Sequence, residues 1–307
     1  LSLDPHQVIS MCKDLNVSYS FGSPTLWRKI SEYALRSGIT LDSIQKIFIA
    51  GAPVPNQVLE QVGKILPNGE CFTPYGATEA LPVSVISGGH RISSENIKSI
   101  SGEQGVNVGK VIDGTTVKII KEVHGEISSI SQIEELPAGV IGEIIVKGRH
   151  VSQEYYNRED ANKNGKIKDG EIVWHRMGDV GYFSESGDLY FCGRRAHVVR
   201  IGSDVWYSVP VESIFNRHPK VKRSALIVIG NSEEVALAVE PLPGFFPETE
   251  ASKEAFKKEL KEIALSDDIS KKVNLFFFHP SFPVDGRHNA KIFRDKLSIW
   301  ATKILKG

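Results

Sequence analysis

The chain has 307 residues, 41% of them hydrophobic and 24% charged, with Lys+Arg and Asp+Glu equal at 37 each. That length is enough for two domains, and the composition is that of an ordinary globular protein. The balanced charge argues against a nucleic-acid binder, and no stretch approaches the ~18 apolar residues of a membrane span.

In chain order, Asp4 to Leu15 reads as a helix with Asp4 as N-cap and Pro5 at the first helical position. Val17 to Phe21 follows as a short strand, and Ser23-Pro24-Thr25 opens a second helix. Ile44 to Ile49 is a compact apolar run, expected to be a buried parallel strand. It ends in Ala50-Gly51-Ala52-Pro53, before a helix from Asn56 to Ile65 and a short strand from Cys71 to Pro74. This alternation predicts an α/β sheet. From Ala80 to Gly148 the pattern changes to short strands, at Val83–Ile86, Thr116–Ile120 and Gly142–Val146, with Glu122 to Pro137 as an inserted loop or helix. Asp188 to Cys192 leads into Gly193-Arg194. Beyond it come a strand (Val198–Ile201), a helix (Val209–Arg217), two strands (Arg223–Ile229, Val235–Glu240), a Pro/Gly turn region (Pro241–Pro247), a helix (Ser252–Leu265), a strand (Leu275–Phe278) and a final helix (Ala290–Leu305). That is a small α+β domain. Cys12, Cys71 and Cys192 are far apart and form no Cys-x-x-Cys pair, as suits half-buried apolar residues in a reducing cytosol. Leu1-Ser2-Leu3-Asp4 has no basic run of a signal peptide. A cytoplasmic protein is expected.

Five short pieces of sequence stand out, two of them for the chemistry of their side chains. Tyr75-Gly76-Ala77-Thr78-Glu79 puts a hydroxyl and a carboxylate at the end of a predicted strand, where ligands of open α/β sheets bind. A hydroxyl suits a phosphate oxygen and a carboxylate suits a hard cation. By itself the segment also reads as strand, turn and helix with Thr78 as N-cap. Gly178-Asp179 offers a carboxylate, the natural bidentate acceptor for a diol, and equally reads as a β-turn. Gly193-Arg194, Gly202 followed by Glu212, and Arg287-His288-Asn289-Ala290-Lys291 complete the set.

In that order these motifs resemble the second half of an adenylate-forming enzyme, the superfamily of acyl-CoA synthetases, insect luciferases and peptide-synthetase adenylation domains. The resemblance implies activation of a small-molecule carboxylic acid with ATP, giving an acyl-adenylate and then AMP. It implies that Thr78 touches the α-phosphate, Glu79 binds Mg²⁺, and Tyr75, with Gly76 beside it, lies near the adenine. Gly51-Ala52-Pro53 would form the adenine-contacting loop, although a plain strand-to-helix turn explains it equally well. Asp179 would accept the ribose hydroxyls, Arg194 would contact ribose or phosphate, and Lys291 would reach the carboxylate and α-phosphate. Gly202 and Glu212 match the glycine loop and first helix of the family's lid. The expected fold is α/β: part of a large adenylation domain over residues 1–195, with a short-stranded β subdomain, then an α+β lid over 196–307.

Departures from the pattern are Met177 where Thr is usual, Ala196 where the hinge is Asp or Lys, and Ala290 before Lys291 where Gly is usual. Together with His175 to Phe183 and Phe282 to Lys291, they resemble one branch, the β-lactone synthetases of the olefin pathway. That implies a β-hydroxy fatty acid as substrate and other enzymes of the pathway as partners; an acyl-CoA ligase is the alternative. The family's phosphate-cradling loop has no counterpart in these residues, so the chain reads as part of a longer protein and is expected to turn over ATP poorly alone. Asp160-x-Asn162-x-Asn164-Gly165-x₅-Glu171 fits a calcium-loop spacing. A calcium-binding or noncatalytic module is therefore the reading from another class, with a polar surface loop the preferred account of the segment.

Overall fold

The computed structural model describes residues 3–101, 104–230, 234–285 and 291–306. They divide into two compact units, Leu1–Phe191 and Cys192–Gly307.

Local chemistry dictates the start of the first unit. The Asp4 carboxylate accepts from the His6 N–H at 3.0 Å and so caps α1 (Pro5–Asp14). After β1 (Tyr19–Gly22), the Ser23 hydroxyl accepts from the Leu26 N–H at 3.2 Å and caps α2 (Pro24–Arg36). Trp27, Ile30, Ser31 and Ala34 form a buried stripe on α2 at helical spacing. Val58, Leu59, Val62 and Ile65 do the same on α3 (Asn56–Ile65). These stripes close over Ile47 and Ile49 of β2 (Lys46–Ile49), the parallel neighbour of β1 and of β3 (Glu70–Ala77).

β4 (Ala80–Ser87) returns antiparallel to β3, and α4 (Gly88–Ser101) leads to β5 (Val106–Val111). Next come β6 (Thr115–Ile120), β7 (Gly142–Gly148), α5 (Glu159–Gly165), β8 (Lys166–Asp169), the long β9 (Ile172–Phe183) and β10 (Leu189–Arg194). The strands join in the order β1-β2-β3-β4-β5-β10-β9-β7-β6, with β8 on β9. The predicted inserted segment is a chain of turns with one 3₁₀ turn, Ile130–Gln132. Arg176 of β9 fastens it: its guanidinium donates to the carbonyls of Val123 and Gly125 while gripping Glu143 of β7.

Three expectations need correction. The segment after β3 is a hairpin, not a strand–turn–helix, so Thr78 caps no helix. Residues 160–171 are neither a calcium loop nor a surface loop: they run through α5 and β8 to the turn before β9, with Ile167 fully buried. A helix followed by a hairpin cannot wrap twelve residues round one cation, and the described residues hold no cluster of three or more potential ligands from His, Cys, Asp and Glu. The last helix, α8 (Arg294–Lys306), begins beyond Lys291, not at Ala290; residues 286–290 lie outside the described ones.

In the second unit, β11 (Val199–Ile201) and β12 (Asp204–Trp206) form a hairpin turning at Gly202. α6 (Ser208–Phe215) precedes a three-stranded sheet of β13 (Val221–Ile229), β14 (Glu234–Pro241) and β15 (Leu275–Phe278), with α7 (Glu250–Leu265) between the last two. Alternate residues serve opposite faces of this sheet. Leu226, Leu237 and Val239 pack with Val211, Phe215, Phe256 and Leu260 of α6 and α7. Ala225, Ile227, Ala236 and Ala238 pack with Leu297 and Ala301 of α8. Glu212 ties the layers: it accepts from the Leu226 N–H at 2.8 Å and pairs with Arg294 of α8. No helix among the described residues is long and apolar enough to cross a membrane.

Candidate active site

Parallel pairing brings the carboxyl ends of β2 and β3 to one edge, so the Gly51-Ala52-Pro53 loop and the Tyr75–Glu79 segment lie side by side there. Gly51 and Pro53 are exposed and Gly51 has a φ of 91°, while Val54, 5% exposed, anchors the loop beneath them. Beside it, Thr78 and Glu79 are the two turn residues of the β3–β4 hairpin, which closes on the Ala77↔Ala80 pair. The register shifts between Tyr75 and Ala77, placing a bulge at Gly76. A Cβ on Gly76 would stand 2.4 Å from the Ala80 carbonyl oxygen, so only glycine lets the hairpin close this way.

Two distant motifs meet at this hairpin. The Tyr75 hydroxyl donates to Asp179 Oδ2 at 2.7 Å, across 104 residues of sequence. Asp179 is 5% exposed, on β9 beside Gly178, and the Tyr75 ring leans on Phe191 at 5.8 Å between centroids.

Glu79 stands in a second network. The Tyr155 hydroxyl donates to Glu79 Oε1 at 2.7 Å, and the Ser152 N–H donates to the Glu79 carbonyl at 2.8 Å. The Lys166 ammonium bonds both the carbonyl and the hydroxyl of Ser152 and lies 5.1 Å from the centre of the Tyr155 ring. Burial pushes the Glu79 carboxyl up, but the Tyr155 hydroxyl, the residue's own backbone and the charges of His175 and Lys166 outweigh it and hold the group below the ordinary carboxylate range. Tyr155 is pushed up to about 12, by burial first and then by its bond to Glu79. Burial lowers Lys166 against the pull of Glu79. It lowers His175 as well, and Lys166 adds to that shift. The turn therefore presents a half-exposed carboxylate that stays ionised. A hard cation needs this of a donor, and Mg²⁺ characteristically takes one or two protein carboxylates together with substrate phosphates.

Sequence reasoning missed Tyr155, Lys166 and the link to His175. Tyr155 lies in an irregular stretch 76 residues from its partner, and neither periodicity nor spacing marks it.

Arg194 and Lys291 belong to the second unit, the first exposed at the end of β10 and the second exposed ahead of α8. Lys291 stands on a short stem: its N–H donates to Asp285 Oδ1 at 2.8 Å, its carbonyl accepts from the Asp285 N–H at 3.0 Å, and Val284 pairs with Ile292. Within this unit His197 is pushed down to about 4, by burial first and then by the positive charges of Arg294, Arg194 and Lys291, with Asp295 opposing. These cations share a field that disfavours one more proton and would favour an anion. The predicted hinge residue Ala196 is exposed in the 3₁₀ turn Arg195–His197.

Comparison with known proteins bears on this geometry. The model of the family described as AMP-binding enzyme matches residues 1–156. The chain belongs to that family. It is 38% identical over 308 residues to the olefin beta-lactone synthetase of Xanthomonas campestris pv. campestris, covering 98% of this chain and 54% of the relative. It is 25% identical over 231 residues to the long-chain-fatty-acid–CoA ligase of Thermus thermophilus, covering 74% of this chain and 40% of that one. Thus the chain spans about half the length of the curated relatives it matches. Among solved structures, the O-succinylbenzoate coenzyme A synthetase of Bacillus subtilis, in complex with ATP and magnesium ion, superposes with a TM-score of 0.71 at 22% identity. That match covers 96% of this chain and 54% of the other, and establishes the α/β fold.

Proposed function

We propose that the protein activates a long-chain β-hydroxy fatty acid with ATP and closes it to a β-lactone. The observation that carries this reading is the 38% identity to an olefin beta-lactone synthetase across 98% of the chain, against 25% across 74% for the fatty-acid CoA ligase. The acid's carboxylate attacks the α-phosphorus and pyrophosphate leaves. The β-hydroxyl oxygen then attacks the acyl carbon, AMP leaves, and the hydroxyl proton is released. An intramolecular attack has a high effective molarity and needs no second substrate.

The proposed roles follow the family's pattern, supported in the first unit by the Tyr75–Asp179 bond and the ionised Glu79 turn. Gly51-Ala52-Pro53 and Tyr75-Gly76 hold the adenine edge, Asp179 accepts the ribose hydroxyls with Tyr75 steadying it, and Thr78 donates to the α-phosphate. Glu79 would hold Mg²⁺, which supplies charge neutralisation on the phosphates when bound. Lys291 and Arg194 are the residues we assign to the carboxylate and phosphate by the family's pattern; their unit we read as the lid of the family, following a partial adenylation domain. Enzymes of an olefin-type pathway would consume the lactone.

Product analysis tests the reading. The intact protein, given a β-hydroxy acid and ATP, should yield a β-lactone and AMP by mass spectrometry and NMR, whether or not CoA is added. A thioester formed only with CoA, and no lactone under either condition, would assign it to the acyl-CoA ligases instead.

A further inference from the structure

We propose that Tyr155 is a positioning residue for the Glu79 carboxylate, and that Asn162, within the stretch that imitates a calcium loop, sets Tyr155 in place. The inference rests on the reading of Glu79 as the cation-facing carboxylate. Glu79 lies on a two-residue turn and is half-exposed. Nothing in a hairpin turn fixes the rotamer of such a side chain, so its direction must come from a partner. The 2.7 Å bond from the Tyr155 hydroxyl occupies Oε1, and Oε2 has no hydrogen-bond partner among the described residues.

Tyr155 needs fixing in its turn, because no strand or helix contains it. Asn162 of α5 does this at the main chain. Its Nδ2 donates to the Tyr155 carbonyl at 3.0 Å and its Oδ1 accepts from the Tyr155 N–H at 2.6 Å. One side chain thus imitates a strand partner, a task that suits a donor and an acceptor on separate atoms of one group, as an amide supplies. The ring is held on its face by Lys166, itself tied to Ser152, and at its edge by His175 at 6.4 Å between centroids. Ser152 closes the circuit through its N–H on the Glu79 carbonyl. Both the backbone and the carboxylate of Glu79 are therefore bonded by one short segment, Ser152 to Tyr155, and α5 holds that segment.

Partners of this kind behind a metal ligand typically carry 10–100-fold in metal affinity. The test titrates the intact protein with Mn²⁺ in the presence of ATP, reading bound metal by electron paramagnetic resonance. Tyr155→Phe, which keeps the ring and removes the donor, should weaken Mn²⁺ binding about tenfold while leaving the affinity for metal-free ATP unaltered. Asn162→Ala should do the same, and the double variant should be no worse than either single, since both act through one bond. Glu79→Gln is the reference. If it weakens Mn²⁺ binding and Tyr155→Phe does not, the positioning role is wrong and the role of Glu79 stands. If Glu79→Gln itself has no effect, both fall. A loss with Tyr155→Phe but none with a folded Asn162→Ala would overturn the part given to Asn162. Should Asn162→Ala not fold, Tyr155→Phe still decides the main claim.

Discussion

Lys291 shows how a single residue can be placed by its backbone and left open at its charge. Its main chain is paired with Asp285 on both sides, while its side chain is exposed and packs in no core. Burial first, then the charges of Arg294 and Arg194, push His197 down to about 4, and Lys291 adds the smallest share. Removing the ammonium should therefore cost transition-state stabilisation and little stability. In the intact protein Lys291→Ala is expected to slow pyrophosphate release by about 10²–10³, on the order of 2–4 kcal/mol. Its thermal melt by circular dichroism should match that of the unaltered protein. An unchanged rate would make Lys291 an ordinary surface residue. The motif alone marks Lys291 as a candidate, whereas no motif marks the bond that joins Tyr75 to Asp179. These two lie in separate motifs on β3 and β9, with β4, β5 and β10 between them in the sheet, and only the folded chain brings them within hydrogen-bond distance.

Among the elements, β7 and β9 carry a buried ion pair that decides local stability. Arg176 and Glu143 are 4% and 0% exposed, with two parallel bonds of 2.9 and 2.7 Å between them. Removing one partner leaves a buried charge without its counter-ion, so Arg176→Met should cost about 3–5 kcal/mol in urea unfolding. Replacing both with apolar residues should recover the part of that loss due to the stranded charge, but not the bonds from Arg176 to the carbonyls of Val123 and Gly125. A single variant as stable as the parent would refute the argument. The elements most legible in sequence were those whose burial pattern is unbroken, such as α3 and β15, whose bounds match their expected spans. α4 and β5 were missed. α4 opens on Gly88-Gly89 and carries four serines, all weak helix formers, so its helicity comes from packing. β5 carries Asn107 and Gly109 among its valines, which reads as loop until Asn107 is seen buried with Nδ2 donating to Asp188 at 3.1 Å. The calcium-loop spacing misled for a related reason. Asn162 has the residue type of a ligand, but it spends its amide on the Tyr155 backbone.

For the whole molecule, the consequential fact is that each compact unit closes its own core. In residues 192–307 both faces of the three-stranded sheet are covered from within the unit, one by α6 and α7 and the other by α8. Glu212 and Arg294 join the two layers, and the pair is drawn wholly from that unit. Among the described residues no face of this sheet is left uncovered, and a domain of roughly a hundred residues is large enough to bury most of what its unfolded chain exposes. Residues 192–307 expressed alone should therefore fold. The expected signs are a single cooperative urea transition and a near-ultraviolet circular dichroism band from Trp206, which is 6% exposed. A chain without near-ultraviolet signal or cooperative transition would mean that the first unit contributes to this core. If the unit does fold alone, Arg194 and Lys291 reside on an independently stable body. A lid must be such a body if it is to move without unfolding.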